Sequence, residues 1–133
     1  MKNKHMKLII ILFVFAVILG VIYSVFAPKK ILSDEDNVGI VRVTYLGEEL
    51  EVNENDLLNI LKKYRIMRSL KDYFPYDTED VDIDIFLSNN DKPESIHILL
   101  GNINILYNTK NRFAYRIMDS ENLKEELIKV FNK

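Results

Sequence analysis

Apolar and polar residues divide this chain into two unequal parts. Leu8 to Phe26 (LIIILFVFAVILGVIYSVF) is nineteen residues without a charge, broken only by Gly20, Tyr23 and Ser24. As a helix rising about 1.5 Å per residue, the run spans most of the roughly 30 Å hydrocarbon core of a bilayer. Such a run has no polar face, so it does not suit the surface of a soluble domain.

Beyond Asp36 the periods shorten. Val38–Leu46 is rich in β-branched residues and predicts a strand. Gly47-Glu48-Glu49 turns the chain, and Leu50-Glu51-Val52 returns as a short second strand. Leu57, Ile60, Leu61 and Tyr64 recur at helical spacing behind Asn53 or Asn55 as cap. Arg65–Leu70 leans to a strand over an extension of that helix. Lys71–Glu79, with Tyr73, Phe74, Pro75 and Tyr76, reads as a loop partly tucked under the core. Val81, Ile83, Ile85 and Leu87 then alternate with Asp82, Asp84 and Phe86, as in a half-buried strand. Ile96, Ile98 and Leu100 continue the inward face, followed by Ile103, Ile105 and Tyr107, then Phe113, Tyr115 and Ile117. Asp119-Ser120 caps a closing helix whose stripe is Leu123, Leu127, Ile128 and Phe131.

The predicted fold is therefore α+β. One N-terminal transmembrane helix precedes a small antiparallel sheet with two helices on one face, in the order strand or hairpin, helix, three to five strands, helix. Residues 1–7 form a basic stub, 8–27 the anchor, 28–36 a linker and 37–133 the displayed domain. The order resembles TATA-binding-protein-like folds in architecture alone, which implies no DNA binding.

Charge sharpens this division. Lys2, Lys4 and Lys7 precede the run and every Asp and Glu follows it. Residues 28–133 carry fifteen Lys and Arg against twenty Asp and Glu, and an acidic domain argues against a nucleic-acid partner. The lysines before the run favour a cytoplasmic N-terminus and an extracytoplasmic domain, with Lys29 and Lys30 as the opposing weight. A cleaved signal, leaving a secreted domain, is the alternative. The only small residue at the end of the run, Ala27, precedes Pro28, which disfavours cleavage there.

Candidate chemistry is sparse. The chain has no cysteine and two histidines, His5 and His97, so disulfides, thiolate catalysis and a transition-metal site are not expected. No phosphate-binding glycine loop or nucleophile elbow occurs. The acidic series Asp77, Glu79, Asp80, Asp82 and Asp84 lacks the calcium-loop pattern. No catalytic, cofactor or metal residue is assigned. The candidate site is a partner-binding sheet face turned away from the helices: Phe86, His97, Leu99, Leu106, Arg116 and Met118, an apolar patch rimmed by charge.

The stretch from Arg65 onward resembles small secreted or membrane-anchored domain families of low-GC Gram-positive bacteria. The residues that carry the likeness are Arg68-Ser69 with Asp72 and Pro75, Leu100-Gly101-Asn102, and Tyr115-Arg116-Ile117. Those families imply no activity. The expected function is a non-enzymatic, membrane-anchored extracytoplasmic binding or accessory module. It contacts the bilayer through residues 8–27 and a protein or peptide partner through the domain. The alternative is a membrane regulator, such as an immunity-type or transporter-associated subunit, acting through its transmembrane helix.

Overall fold

A computed structural model describes residues 2–71 and 73–133; Met1 and Asp72 lie outside the described residues. Helix α1 runs Lys2–Phe26, so it begins within the basic stub, and none of its residues is buried. Its length of about 38 Å exceeds the hydrocarbon core. The chain thus has an apolar helix long enough to cross a membrane or to serve as a signal sequence.

The expected linker is instead part of the domain. Lys29–Lys30 form strand β1, antiparallel to β4 (Arg65–Arg68), with Lys29 opposite Ile66 and Lys30 opposite Arg65. Ile31 donates its N–H to the Tyr64 carbonyl at 3.0 Å. Ile31 and Leu32 are 5% and 1% exposed within the main core. Polar neighbours on both sides disguise this apolar pair in the sequence. Only Ala27 and Pro28 separate α1 from the sheet.

The remaining elements are β2 (Val38–Tyr45), β3 (Glu48–Glu49), α2 (Glu54–Leu61), β5 (Val81–Asn89), β6 (Ser95–Gly101), β7 (Asn104–Asn108), β8 (Ala114–Ile117) and α3 (Ser120–Phe131). Together with β1 and β4 they give an antiparallel sheet in the order β1-β4-β8-β7-β6-β5-β2-β3. Strands β5 to β8 form a meander, and five strands follow α2. The α2 crossover carries the chain from the β2 side of the sheet to the β4 side.

Both edges end in two-residue strands. At β3, Tyr45 pairs with Glu48, so the turn is Leu46-Gly47, with φ of 51° and 84°. Two positive φ values are the requirement of a type I′ turn. The returning strand is thus Glu48–Glu49 rather than 50–52. Strand β2 also carries a bulge between Ile40 and Arg42, where Val41 is exposed.

Helices α2 and α3 pack on one sheet face. Leu57, Leu61, Leu123 and Leu127 are fully buried against Ile83, Ile85, Ile98 and Leu100. Each such side chain contributes about 1.5–3 kcal/mol of apolar burial. Asn53 caps α2 by accepting the Asp56 N–H at 3.1 Å. Asp119 does precede α3, but it sits at φ 56° and its carboxylate receives the Asn122 amide at 2.9 and 3.0 Å instead of a helix N–H. The helices are pinned together where Glu126 accepts from Lys63 and from the Tyr64 hydroxyl, the latter at 2.5 Å. Hydrogen bonding from Lys63, then Tyr64, holds the Glu126 carboxyl below its ordinary range. Burial, then the bond to Glu126, pushes the Tyr64 phenol up.

Candidate functional site

Strand register decides which residues share the sheet face opposite the helices. Cross-strand partners lie on the same side of a sheet. The pairs Arg42–Phe86, Phe86–His97, His97–Tyr107, Leu99–Ile105, Ile105–Arg116 and Arg116–Met67 therefore trace one continuous face. Of the six sequence-derived candidates, Phe86, His97, Leu99 and Arg116 lie on it.

Leu106 does not. It pairs with Ile98 and Tyr115, is 3% exposed and belongs to the helix-side core. The loop Gly101-Asn102-Ile103 resets the phase of β7, so Ile105 and Tyr107 face outward, the reverse of the expected alternation. Met118 lies past the end of β8, in an opening of about 400 Å³ lined by Lys63, Tyr64, Arg65, Asp119 and Glu126.

Phe113, expected to face inward, precedes β8 and is 37% exposed, beneath the Arg68 guanidinium at 3.4 Å.

Nor is Leu99 open to a partner. Leu99 and Ile105 are both fully buried, yet stand apart from the main core. The aromatic segment Tyr73–Tyr76 packs onto this same face through Phe74. The Phe74 ring centroid is 4.5 Å from that of Tyr107 and 5.5 Å from that of Tyr76, and the Phe74-Pro75 peptide is cis. The loop expected under the main core instead closes a second, smaller core on the opposite face. Three aromatics within four residues were the available signal, because an aromatic loop must cover apolar surface somewhere.

The rest of this face is a compact polar cluster. His97 Nε2 lies 2.5 Å from Asp84 Oδ1, and Arg42 Nη2 lies 3.8 Å from Asp84 Oδ2. Phe86 meets the imidazole edge-on at 5.3 Å. Burial, then the Asp84 charge, pushes the Tyr76 phenol up, partly offset by Arg42. A depression of about 190 Å³ beside the cluster is lined by Thr44, Gly47, Tyr76, Thr78, Val81, Asp82 and Asp84.

The carboxylate orients the imidazole and the guanidinium balances its charge, so the three groups satisfy one another. Of the acidic series, Asp77 accepts the Glu79 N–H at 3.1 Å and Asp80 the Asn102 amide at 3.2 Å. Among the described residues no group of three or more His, Cys, Asp and Glu is arranged to hold a metal ion.

No family model matches the chain, and neither a curated protein nor a solved structure matches it.

At the other end of this face, near α1, lies a feature that the sequence pattern did not expose. A groove of about 330 Å³ is formed by Phe26, Met67, Arg68, Ser69, Leu70, Tyr73 and Arg116. Leu70 is 86% exposed at its rim, and Arg116 Nη2 approaches Met67 Sδ at 4.0 Å. An apolar groove of about 540 Å³ adjoins it along α1 and shares Phe26 and Met67. These residues come from three separate segments, and no spacing rule links them.

Proposed function

We propose that this chain is a single-pass membrane protein that displays its α+β domain outside the cytoplasm and acts by binding rather than by catalysis. One observation carries the reading: α1 is apolar, 25 residues long and without a buried residue, while the sheet has a complete core without it. A helix of that composition with no protein partner finds its burial in lipid. The lysines before the apolar run favour a cytoplasmic N-terminus.

Binding rather than catalysis is supported by the saturation of the one polar cluster on the helix-free face, where Asp84, His97 and Arg42 partner one another. The aromatic segment on that face directs the search for a partner away from the sheet centre and toward the domain's margins.

Alkaline extraction of membranes from expressing cells, followed by protease treatment of sealed cells or spheroplasts, tests this reading. The full-length chain is expected in the membrane pellet, with residues 28–133 digested from outside. Release of the chain into the alkaline supernatant, or protection of the domain, overturns it.

A further inference from the structure

The junction between α1 and the sheet leaves the domain no room to stand away from the bilayer. With Ala27 and Pro28 alone between the end of α1 and β1, the corner of the sheet made by β1, β4 and β8 sits at the level of the helix end. That corner differs in charge from the rest of the domain. Its three strands contain Lys29, Lys30, Arg65, Arg68 and Arg116 and no acidic residue. They hold five of the fifteen basic residues in a segment whose net charge is −5.

Among the described residues none of the five is in an ion pair; every ion pair lies elsewhere. Two of them rest on aromatic rings instead: Lys29 over Tyr115 at 4.3 Å and Arg68 over Phe113 at 3.4 Å. Lys71, just beyond β4, lies 5.1 Å from the Tyr73 ring centroid. Stacking holds a cation in place without cancelling its charge.

The two adjoining grooves give this charge a shape to act on. The upper one presents Arg116 beside the exposed Leu70, while the guanidinium of Arg68, which also lines the groove, is stacked on Phe113 on the opposite face of the sheet. The lower one, walled by Leu19, Ile22, Tyr23 and Pro28, is almost wholly apolar and runs along α1. Phe26 and Met67 belong to both.

We propose that this pair of grooves binds an anionic phospholipid of the surrounding bilayer. The phosphate sits against Arg116, on the face that it shares with Met67, an acyl chain lies along α1, and Leu70 enters the interface. Guanidinium forks match phosphate oxygens, and basic side chains beside a membrane helix select anionic headgroups. The proposal rests on the reading of α1 as a membrane anchor.

The test uses the full chain reconstituted into vesicles. The chain has no tryptophan, so Leu70→Trp places a single reporter at the groove rim. Vesicles are phosphatidylcholine alone or with increasing phosphatidylglycerol, each carrying lipid brominated near the headgroup. The expected result is a blue shift and quenching of the indole that grow with the phosphatidylglycerol fraction. Arg116→Gln combined with Leu70→Trp should weaken that response by roughly fivefold, the loss of one basic side chain from an anionic surface. Far-UV circular dichroism checks that each variant is folded.

Quenching that is absent, or equal in both lipids, overturns the proposal while leaving the anchor reading intact, provided the chain floats with the vesicles. Failure to float overturns the anchor reading itself. Quenching reversed by an added acidic peptide but not by phosphatidylcholine dilution assigns the groove to a protein partner and also overturns it.

Discussion

Two glycines in this sheet should respond to the same substitution with opposite signs. An ideal Cβ on Gly101 would lie 2.3 Å from the Asp80 carbonyl oxygen, 2.9 Å from the Asp82 nitrogen and 3.1 Å from the Asp80 carbonyl carbon. All three are backbone atoms, so no side chain can swing aside. Asp80 is also held in place: its carbonyl accepts the Asn102 N–H at 2.8 Å and the Ile103 N–H at 3.4 Å. Its carboxylate accepts the Asn102 amide, and the Gly101 carbonyl receives Lys124 at 3.2 Å. Gly101→Ala must push Asp80 away and break at least one of these bonds. Overpacking costs about 1–3 kcal/mol and a lost hydrogen bond about 0.5–1.5 kcal/mol, offset by about 0.4–1 kcal/mol from a stiffer unfolded chain. The net is about 2–3 kcal/mol of destabilisation, which lowers the melting temperature of a domain of this size by roughly 10–20 °C. At Gly39 the nearest atoms to an added Cβ belong to the Asn90 side chain at 3.9 Å. There the unfolded-state term stands alone, and Gly39→Ala should stabilise by about 0.4–1 kcal/mol. Urea unfolding of the full chain in detergent micelles, followed by far-UV circular dichroism, measures both. If Gly101→Ala unfolds within about 0.5 kcal/mol of the parent, the size of a neutral surface change, the reasoning is refuted.

Three further outcomes follow from the same geometry. Leu46→Asn should stabilise by about 0.5–1 kcal/mol, since it suits positive φ and removes an exposed leucine from the type I′ turn; thermal melts check this, and no gain contradicts the turn assignment. Leu99→Ala should cost about 2–5 kcal/mol in denaturant titrations, as expected for a buried leucine, whereas an open binding face would lose almost nothing. The Glu126 carboxyl titrates lower in the folded chain than its ordinary 4.5. Its stabilising contribution is therefore present above that pH and lost as pH falls through the lower folded value. Glu126→Gln should flatten this part of the acid-unfolding profile, and an unchanged profile argues against the Lys63–Glu126–Tyr64 link.

Much of the architecture is legible wherever one periodicity dominates. The apolar run of α1, the alternation of Val81–Leu87 and the stripe of Leu123 and Leu127 each admit one reading. Legibility fails where both faces of a strand are buried. Leu106 and Ile105 are both apolar, both are covered, and alternation cannot say which points to the helices; the phase is set by the loop at Gly101–Ile103. It fails again where two apolar residues hide in a polar stretch, as Ile31 and Leu32 do between Lys30 and Ser33. The candidate face shows the first difficulty: Leu99 is interior on that face, Leu106 belongs to the helix-side core, and only Phe86 and Met118 among its apolar members are half-buried. The groove beside α1 is a product of the chain path, since Phe26, Met67, Leu70 and Arg116 meet only after β1 is paired with β4 and β4 with β8.

The outermost strands of the sheet bear on how copies of this protein coexist. One margin is Lys29–Lys30, the other Glu48–Glu49, each too short to offer a neighbour more than a token of free backbone. If α1 holds the chain in a bilayer, as proposed above, molecules confined to that plane collide sideways far more often than in free solution, and they collide edge first. Matching margins repel by charge, and opposite margins attract but present only two residues to join. The bulge at Val41 twists the longer stretch of β2 out of line. Even at high local density the sheets should stay separate, so crowding need not end in fibrils.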